Sequence, residues 1–178
     1  MRQTLLTLGQ MVGAHARLRP QALGARDLER SMTFLEWNRR SCRLANALLG
    51  LGLDRGDRVA VLAYNCVEWA EIYVATAKAG LIAVPVNFRL SPPEIAFIVQ
   101  DSQAAVLIAQ DALYGLVEET REGLGVPPAN YIHFGADKAP AGWQAYEDLL
   151  GRASDREPGL DIAADEPWTL MYLSLIHI

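Results

Sequence analysis

Between Arg58 and Phe134 the chain alternates short apolar runs with amphipathic segments that open on capping residues, and this alternation restricts the fold more than any other feature. Arg58 is followed by Val-Ala-Val-Leu-Ala, a continuous apolar run of strand length, which suits a strand buried on both faces. Residues 81–86, 104–109 and 131–134 repeat that character. Between them the apolar spacing is helical: Trp69, Ile72, Tyr73 and Thr76, then Ile95, Ile98, Val99 and Ser102, then Leu113, Leu116, Val117 and Thr120. Parallel neighbours cannot be joined by tight hairpins, so this order predicts right-handed βαβ crossovers, a mostly parallel sheet and the α/β class.

The boundaries carry their own signals. Thr33 with Glu36, Asn65 with Glu68, and Ser91 with Glu94 have the spacing in which two side chains reciprocally satisfy free backbone N–H groups at a helix start. Glu36, Glu68 and Glu94 therefore read as caps, which leaves no carboxylate pair for general acid–base work. Residues 50–52 and Gly80 read as helix ends, with Lys78 in a last turn where a cation complements the helix dipole. Upstream, Leu5, Leu8, Met11 and Val12 predict an opening helix closed by Pro20. A short strand at 22–25, a polar turn at 27–30 and a helix with Trp37, Ser41, Leu44, Ala45 and Leu48 on its inner stripe follow. Trp37, Trp69 and Tyr73 read as packing side chains. Residues 135–167 are rich in Gly, Pro, Asp and Ala and predict a surface excursion with one short helix at 143–150; residues 168–172 return to strand character. A parallel sheet cut off there is expected to expose unpaired edges and to aggregate.

Several function classes fall away on bulk properties. At 178 residues, just over half of them hydrophobic, the chain can bury one core and no more than one domain. A net charge of -5 leaves no cationic excess for gripping a nucleic-acid backbone. Cys42 and Cys66 lie in apolar segments without a Cys-x-x-Cys spacing, so they read as reduced core thiols and point to a cytoplasmic setting. No window approaches a membrane span. His15, His133 and His177 are isolated, and there is neither a Gly-x-Gly-x-x-Gly nor a Gly-x-x-x-x-Gly-Lys loop. Taken alone, the residues describe an α/β ligand-binding domain.

Three segments carry more. The first is Thr33-Phe34-x-Glu36-Trp37, continuing through Arg43-Leu44-Ala45-Asn46-Ala47 to Gly56-Asp57-Arg58-Val59-Ala60. The second is Asn65-x-x-Glu68-Trp69, continuing through Ala77-Lys78-Ala79-Gly80 to Val84-Pro85-Val86-Asn87-x-Arg89-Leu90-Ser91-Pro92. The third is Asp165-Glu166-Pro167-Trp168-Thr169-Leu170-Met171-Tyr172. Together they resemble the N-terminal region of the AMP-forming synthetase/ligase superfamily, in its acyl-CoA synthetase branch. The resemblance assigns residues 1–172 to the N-terminal part of an adenylate-forming domain. Residues 173–178 (Leu-Ser-Leu-Ile-His-Ile) read as a non-family tail of truncation-artefact type.

The resemblance implies a two-step reaction in which a carboxylate attacks the α-phosphorus of Mg-ATP and a thiol, usually that of CoA, then displaces AMP. ATP, Mg2+ and CoA are thus implied for a full-length parent, with a carboxylic acid and CoA as its small-molecule partners. The family's Ser/Thr/Gly-rich phosphate loop and catalytic lysine have no counterpart here, so the chain alone is expected to be inactive, with no catalytic residue and no metal ligand. One contact carries over: Arg89, matching an arginine that holds the 3′-phosphate of CoA, a role suited to a guanidinium. Asn87 stands where amino-acid-activating relatives carry Asp, which leans toward acyl-CoA synthetases. Two other readings stay open on the residues alone: a fragment of an amino-acid adenylation domain, and a non-catalytic interaction module reusing the fold.

Overall fold

In the computed structural model, residues 6–136 and 138–173 are described. Helix α1 (Leu8–Leu18) leads into an antiparallel hairpin of β1 (Leu23–Arg26) and β2 (Ser31–Thr33), then α2 (Phe34–Gly50). The alternating part follows as β3 (Arg58–Leu62), α3 (Val67–Ala79), β4 (Ile82–Val86), α4 (Pro92–Asp101), β5 (Ala104–Gln110), α5 (Tyr114–Glu118) and β6 (Tyr131–Phe134). A two-residue strand β7 (Gln144–Ala145) and α6 (Tyr146–Arg152) complete the regular structure.

The sheet has the order β4-β3-β5-β6-β7 and is parallel throughout. Its two faces follow from the strand period of two. Val59, Val61, Val106 and Ile108 point to one side, where α2, α3 and α6 cover them through Leu44, Leu48, Ile72 and Leu150. Ala60, Leu62, Leu107 and Ala109 point to the other, against Ile95, Val99, Leu113 and Val117 of α4 and α5. The continuous apolar runs are thus strands packed on both faces.

Two capping boxes lie where the spacing puts them. Thr33 and Ser91 accept from the N3 amide while Glu36 and Glu94 reach back to the cap. The third does not. Helix α3 has Cys66 at its N-cap, which places Glu68 at the second helical position, one residue short of the reach a capping box needs. Asp27 caps that helix from the hairpin turn instead, its Oδ2 accepting from Val67 N at 2.9 Å. A further box, which the sequence analysis missed, stands at the head of α1, where Thr7 and Gln10 have the equivalent spacing.

The downstream segment differs from its expected shape in two ways. The short helix starts at Tyr146 because Gln144 and Ala145 extend beside β6 and close the sheet's far edge. At the opposite edge, Thr169 pairs with Ala83: Ala83 N donates to Trp168 O at 3.0 Å and Leu170 N to Ala83 O at 2.9 Å. The β4 edge, expected to be open, is covered there by the chain's own return.

Candidate functional site

The chain leaves β3 for β4 on one side and comes back to β5 on the other, so the strand order reverses between β3 and β5. Ligands of open parallel sheets bind outside the carboxyl ends of the strands at such a reversal. An open cleft of about 1290 Å³ lies there. Its floor is Tyr64 and Asn65 after β3, Gln110 of β5, and His133 and Phe134 of β6; the Asp27–Arg30 turn and the first turn of α6 wall it. Gln110 accepts from Tyr64 N at 2.8 Å and so ties the β3 exit to β5.

Arg89 stands one strand over, at the end of β4. Asn87 Oδ1 accepts from Arg89 N at 3.0 Å and Leu90 N donates to Asn87 O at 3.1 Å, which folds the strand exit into a tight turn ahead of α4. The Arg89 guanidinium lies 4.8 Å from the Phe88 ring, and that ring packs edge-on against Tyr64 at the cleft rim, 4.8 Å between centroids. Arg89 is exposed and has no carboxylate partner among the described residues. A solvated, aromatic-backed guanidinium without a counter-charge fits an anionic group such as a phosphate. Among the described residues no three His, Cys, Asp or Glu stand together as a metal site.

The other singled-out residues are held by packing. His15 lies against Phe34 and accepts from Arg19 Nε at 3.2 Å. His133 is buried and sits 3.0 Å from Asp111 Oδ1 at the cleft floor. His177 lies outside the described residues. Trp37 and Trp69 are half-buried, each indole donating to a backbone carbonyl, Ala70 O and Tyr64 O. Tyr73 stacks on Trp69 and meets Trp168 edge-on.

Buried charge in this half of the molecule is paired. Glu68 bonds Arg30 across the cleft wall. Glu71 takes Arg40 Nε at 2.6 Å and Tyr146 OH at 2.7 Å, joining α2, α3 and α6. Burial raises the Glu71 carboxyl above the usual range despite Arg40, and raises the Tyr146 hydroxyl well above its own. Burial likewise pushes the Cys42 and Cys66 thiols up to about 11 and about 12, which makes both poor nucleophiles. Sequence periodicity gave no sign of these pairings, whose partners lie 31 to 75 residues apart.

The sequence pattern of the AMP-binding enzyme family matches residues 13–174, nearly the whole chain. The chain belongs to that family. It is 32% identical over 169 residues to the long-chain-fatty-acid–CoA ligase FadD13 of Mycobacterium tuberculosis, covering 94% of this chain and 32% of that one. It is 34% identical over 170 residues to the fatty acid–[acyl-carrier-protein] ligase ScoC of Streptomyces coeruleorubidus, 96% of this chain and 31% of that one. The N-terminal domain of FACL13 from M. tuberculosis superposes with a TM-score of 0.82 at 30% identity, over 96% of this chain and 42% of that one. The α/β architecture is thus that of the N-terminal domain of AMP-forming ligases. The chain spans about a third of the length of the curated relatives it matches. Among the described residues no helix is long and apolar enough to cross a membrane.

Proposed function

We propose that the chain is the N-terminal part of an ATP-dependent, AMP-forming ligase that joins a carboxylic acid, a fatty acid foremost, to CoA, and that these residues alone do not turn over. The observation that carries this reading is the 32% identity across 94% of the chain to a long-chain-fatty-acid–CoA ligase. In the parent, the acid's carboxylate oxygen bonds the α-phosphorus of ATP and pyrophosphate leaves. The CoA sulfur then bonds the acyl carbon and AMP leaves. Phosphoryl charge is what such a site must stabilise, through positioned donors and Mg2+.

Within this chain the reading gives Arg89 one task, holding the 3′-phosphate of CoA, for which an exposed guanidinium with no carboxylate partner among the described residues is suited. Two unpaired thiols, Cys42 and Cys66, agree with a cytoplasmic setting. The test is acid-dependent exchange of labelled pyrophosphate into ATP by the full-length parent, followed by thioester formation with CoA. Exchange and thioester with fatty acids are expected; no exchange with any carboxylic acid overturns the reading. Thioester formation only on a carrier protein would favour the acceptor that ScoC's name carries.

A further inference from the structure

The open cleft at the carboxyl ends of β3 and β5 is acidic. Its hairpin wall carries Asp27 and Glu29 beside Arg26 and Arg30. Glu68 of α3 joins them, and Glu147 and Asp148 line the α6 side. Five carboxylates therefore face two guanidinia, a formal charge of -3 around a cavity of about 1290 Å³. Such a lining repels phosphates and carboxylates, so an acid, ATP or CoA has no place in it.

Two of the five carboxylates are fully engaged. Asp27 Oδ1 accepts from Glu29 N at 2.9 Å and Arg30 N at 2.7 Å, and its Oδ2 accepts from Val67 N. Glu147 takes Arg40 through two bonds of 2.6 and 3.0 Å. The other three have capacity left. Glu68 Oε1 meets Arg30, but Oε2, on a side chain only 6% exposed, has no partner among the described residues. A carboxylate oxygen buried in that way is costly until a donor reaches it. Glu29 has no cationic partner among the described residues, and Asp148 has only the exposed Arg152, 3.9 Å away.

These three carboxylates stand on different elements, α3, the hairpin turn and α6, and they do not converge as a metal site would. A compact divalent ion could meet only one of them. An extended cation, with charges spaced along a flexible apolar stem, can meet all three. Tyr64, exposed at the rim, adds an aromatic ring of the kind on which ammonium groups and their methylenes pack.

We propose that this cleft binds a linear polyamine, one ammonium donating to Glu68 Oε2 and the others lying between Glu29 and Asp148. Because Oε2 is closed to water, the half-exposed Arg30 side chain swings outward as the ammonium enters. The bound cation then ties the hairpin turn to α3 and α6. The site stands apart from the ligase reading, since its charge suits none of that reaction's substrates.

Calorimetric titration of spermidine into the 178-residue chain tests it, at a salt concentration of about 0.15 M, where charges more than about 8 Å apart are largely screened. One-to-one binding is expected. The double variant Glu29→Gln/Asp148→Asn, at two exposed positions, is expected to weaken it at least about ten-fold, as is Glu68→Gln. Glu119→Gln/Glu122→Gln removes the same charge from exposed positions that do not line the cleft, and is expected to leave binding unchanged. No binding of spermidine overturns the proposal, and so does equal weakening by the two doubles, which marks a diffuse effect of net charge. Displacement of spermidine by equimolar Mg2+ overturns it as well. Where Glu68→Gln does not fold, the exposed double variant still decides. A parent with no pyrophosphate exchange sinks the ligase reading and leaves the spermidine result standing.

Discussion

Ile108, in the middle of β5, is fully buried among aliphatic side chains from α2, α3 and β6. Glu157, about fifty residues on, is half-exposed and held by one lysine and one asparagine. The two positions stand for two ways of fixing a backbone. The sheet is specified by apolar area removed from water on both faces, a term that is large, undirected and shared among many residues. The strap of residues 153–167 that carries Glu157 buries little and has no ladder of its own, so its path depends on a few directed contacts, each of which can be removed singly. A fold of this kind should lose its strap long before its sheet.

The largest effect that would break this contrast is in the sheet. Ile108→Ala removes a fully buried side chain and is expected to cost about 2–5 kcal/mol, read as a shift in urea midpoint with the slope unchanged. Lys78→Met leaves Glu157 without its charge partner. Because Glu157 is half-exposed, the expected cost is about 2 kcal/mol, below the 3–5 typical of a fully buried pair. A loss equal to that of Ile108→Ala would mean that the strap is part of the core.

Acid sharpens the contrast further. Burial pushes the Glu157 carboxyl up, but the Lys78 and Asn38 bonds hold it net below its ordinary value; Arg55 and the Ala163 amide do the same for Glu166. A carboxylate with a lowered folded-state value stabilises the fold above its unfolded value of about 4.3 and ceases to as pH falls through the folded one. Glu71 acts the other way, since burial raises it, so protonation does not loosen the α2–α3–α6 junction in that window. Protection of Leu170, taken relative to the intrinsic exchange rate at each pH, is therefore expected to fall below about pH 4 while β5 amides keep theirs. The smallest expected effects are local: Thr33→Ala, which removes the α2 cap, about 1 kcal/mol, and Asn46→Ala, which releases the Ser154 and Arg156 carbonyls, about 1 kcal/mol or less, confined to the strap.

How much of this was legible in the sequence follows the same division. Strands β3 to β6 and helices α2 and α4 were readable because burial on two faces and reciprocal capping both leave local, periodic marks. Glu68 shows the limit of such marks: the spacing from Asn65 is right, but a helix that starts at Val67 shifts the glutamate one position, and only the distant Asp27 and Arg30 explain where it goes. The β1–β2 hairpin was half seen, since a three-residue strand carries too little pattern. The strap was read as a surface excursion, correct in its exposure and silent about its clamps, because Lys78 and Glu157 are 79 residues apart and nothing in either neighbourhood announces the other. Arg89 was singled out by resemblance alone, and its aromatic backing by Phe88 and Tyr64 emerged only in three dimensions.

The most direct test of the central claim, that this chain is the opening part of an AMP-forming ligase, is to read its gene from codon 165 onward. The account predicts that the frame continues after Tyr172 into a Ser-, Thr- and Gly-rich loop closing on Pro-Lys-Gly, and on through the rest of a ligase. A confirmed Leu-Ser-Leu-Ile-His-Ile followed by a stop codon would contradict it and leave a non-catalytic member of the family in its place.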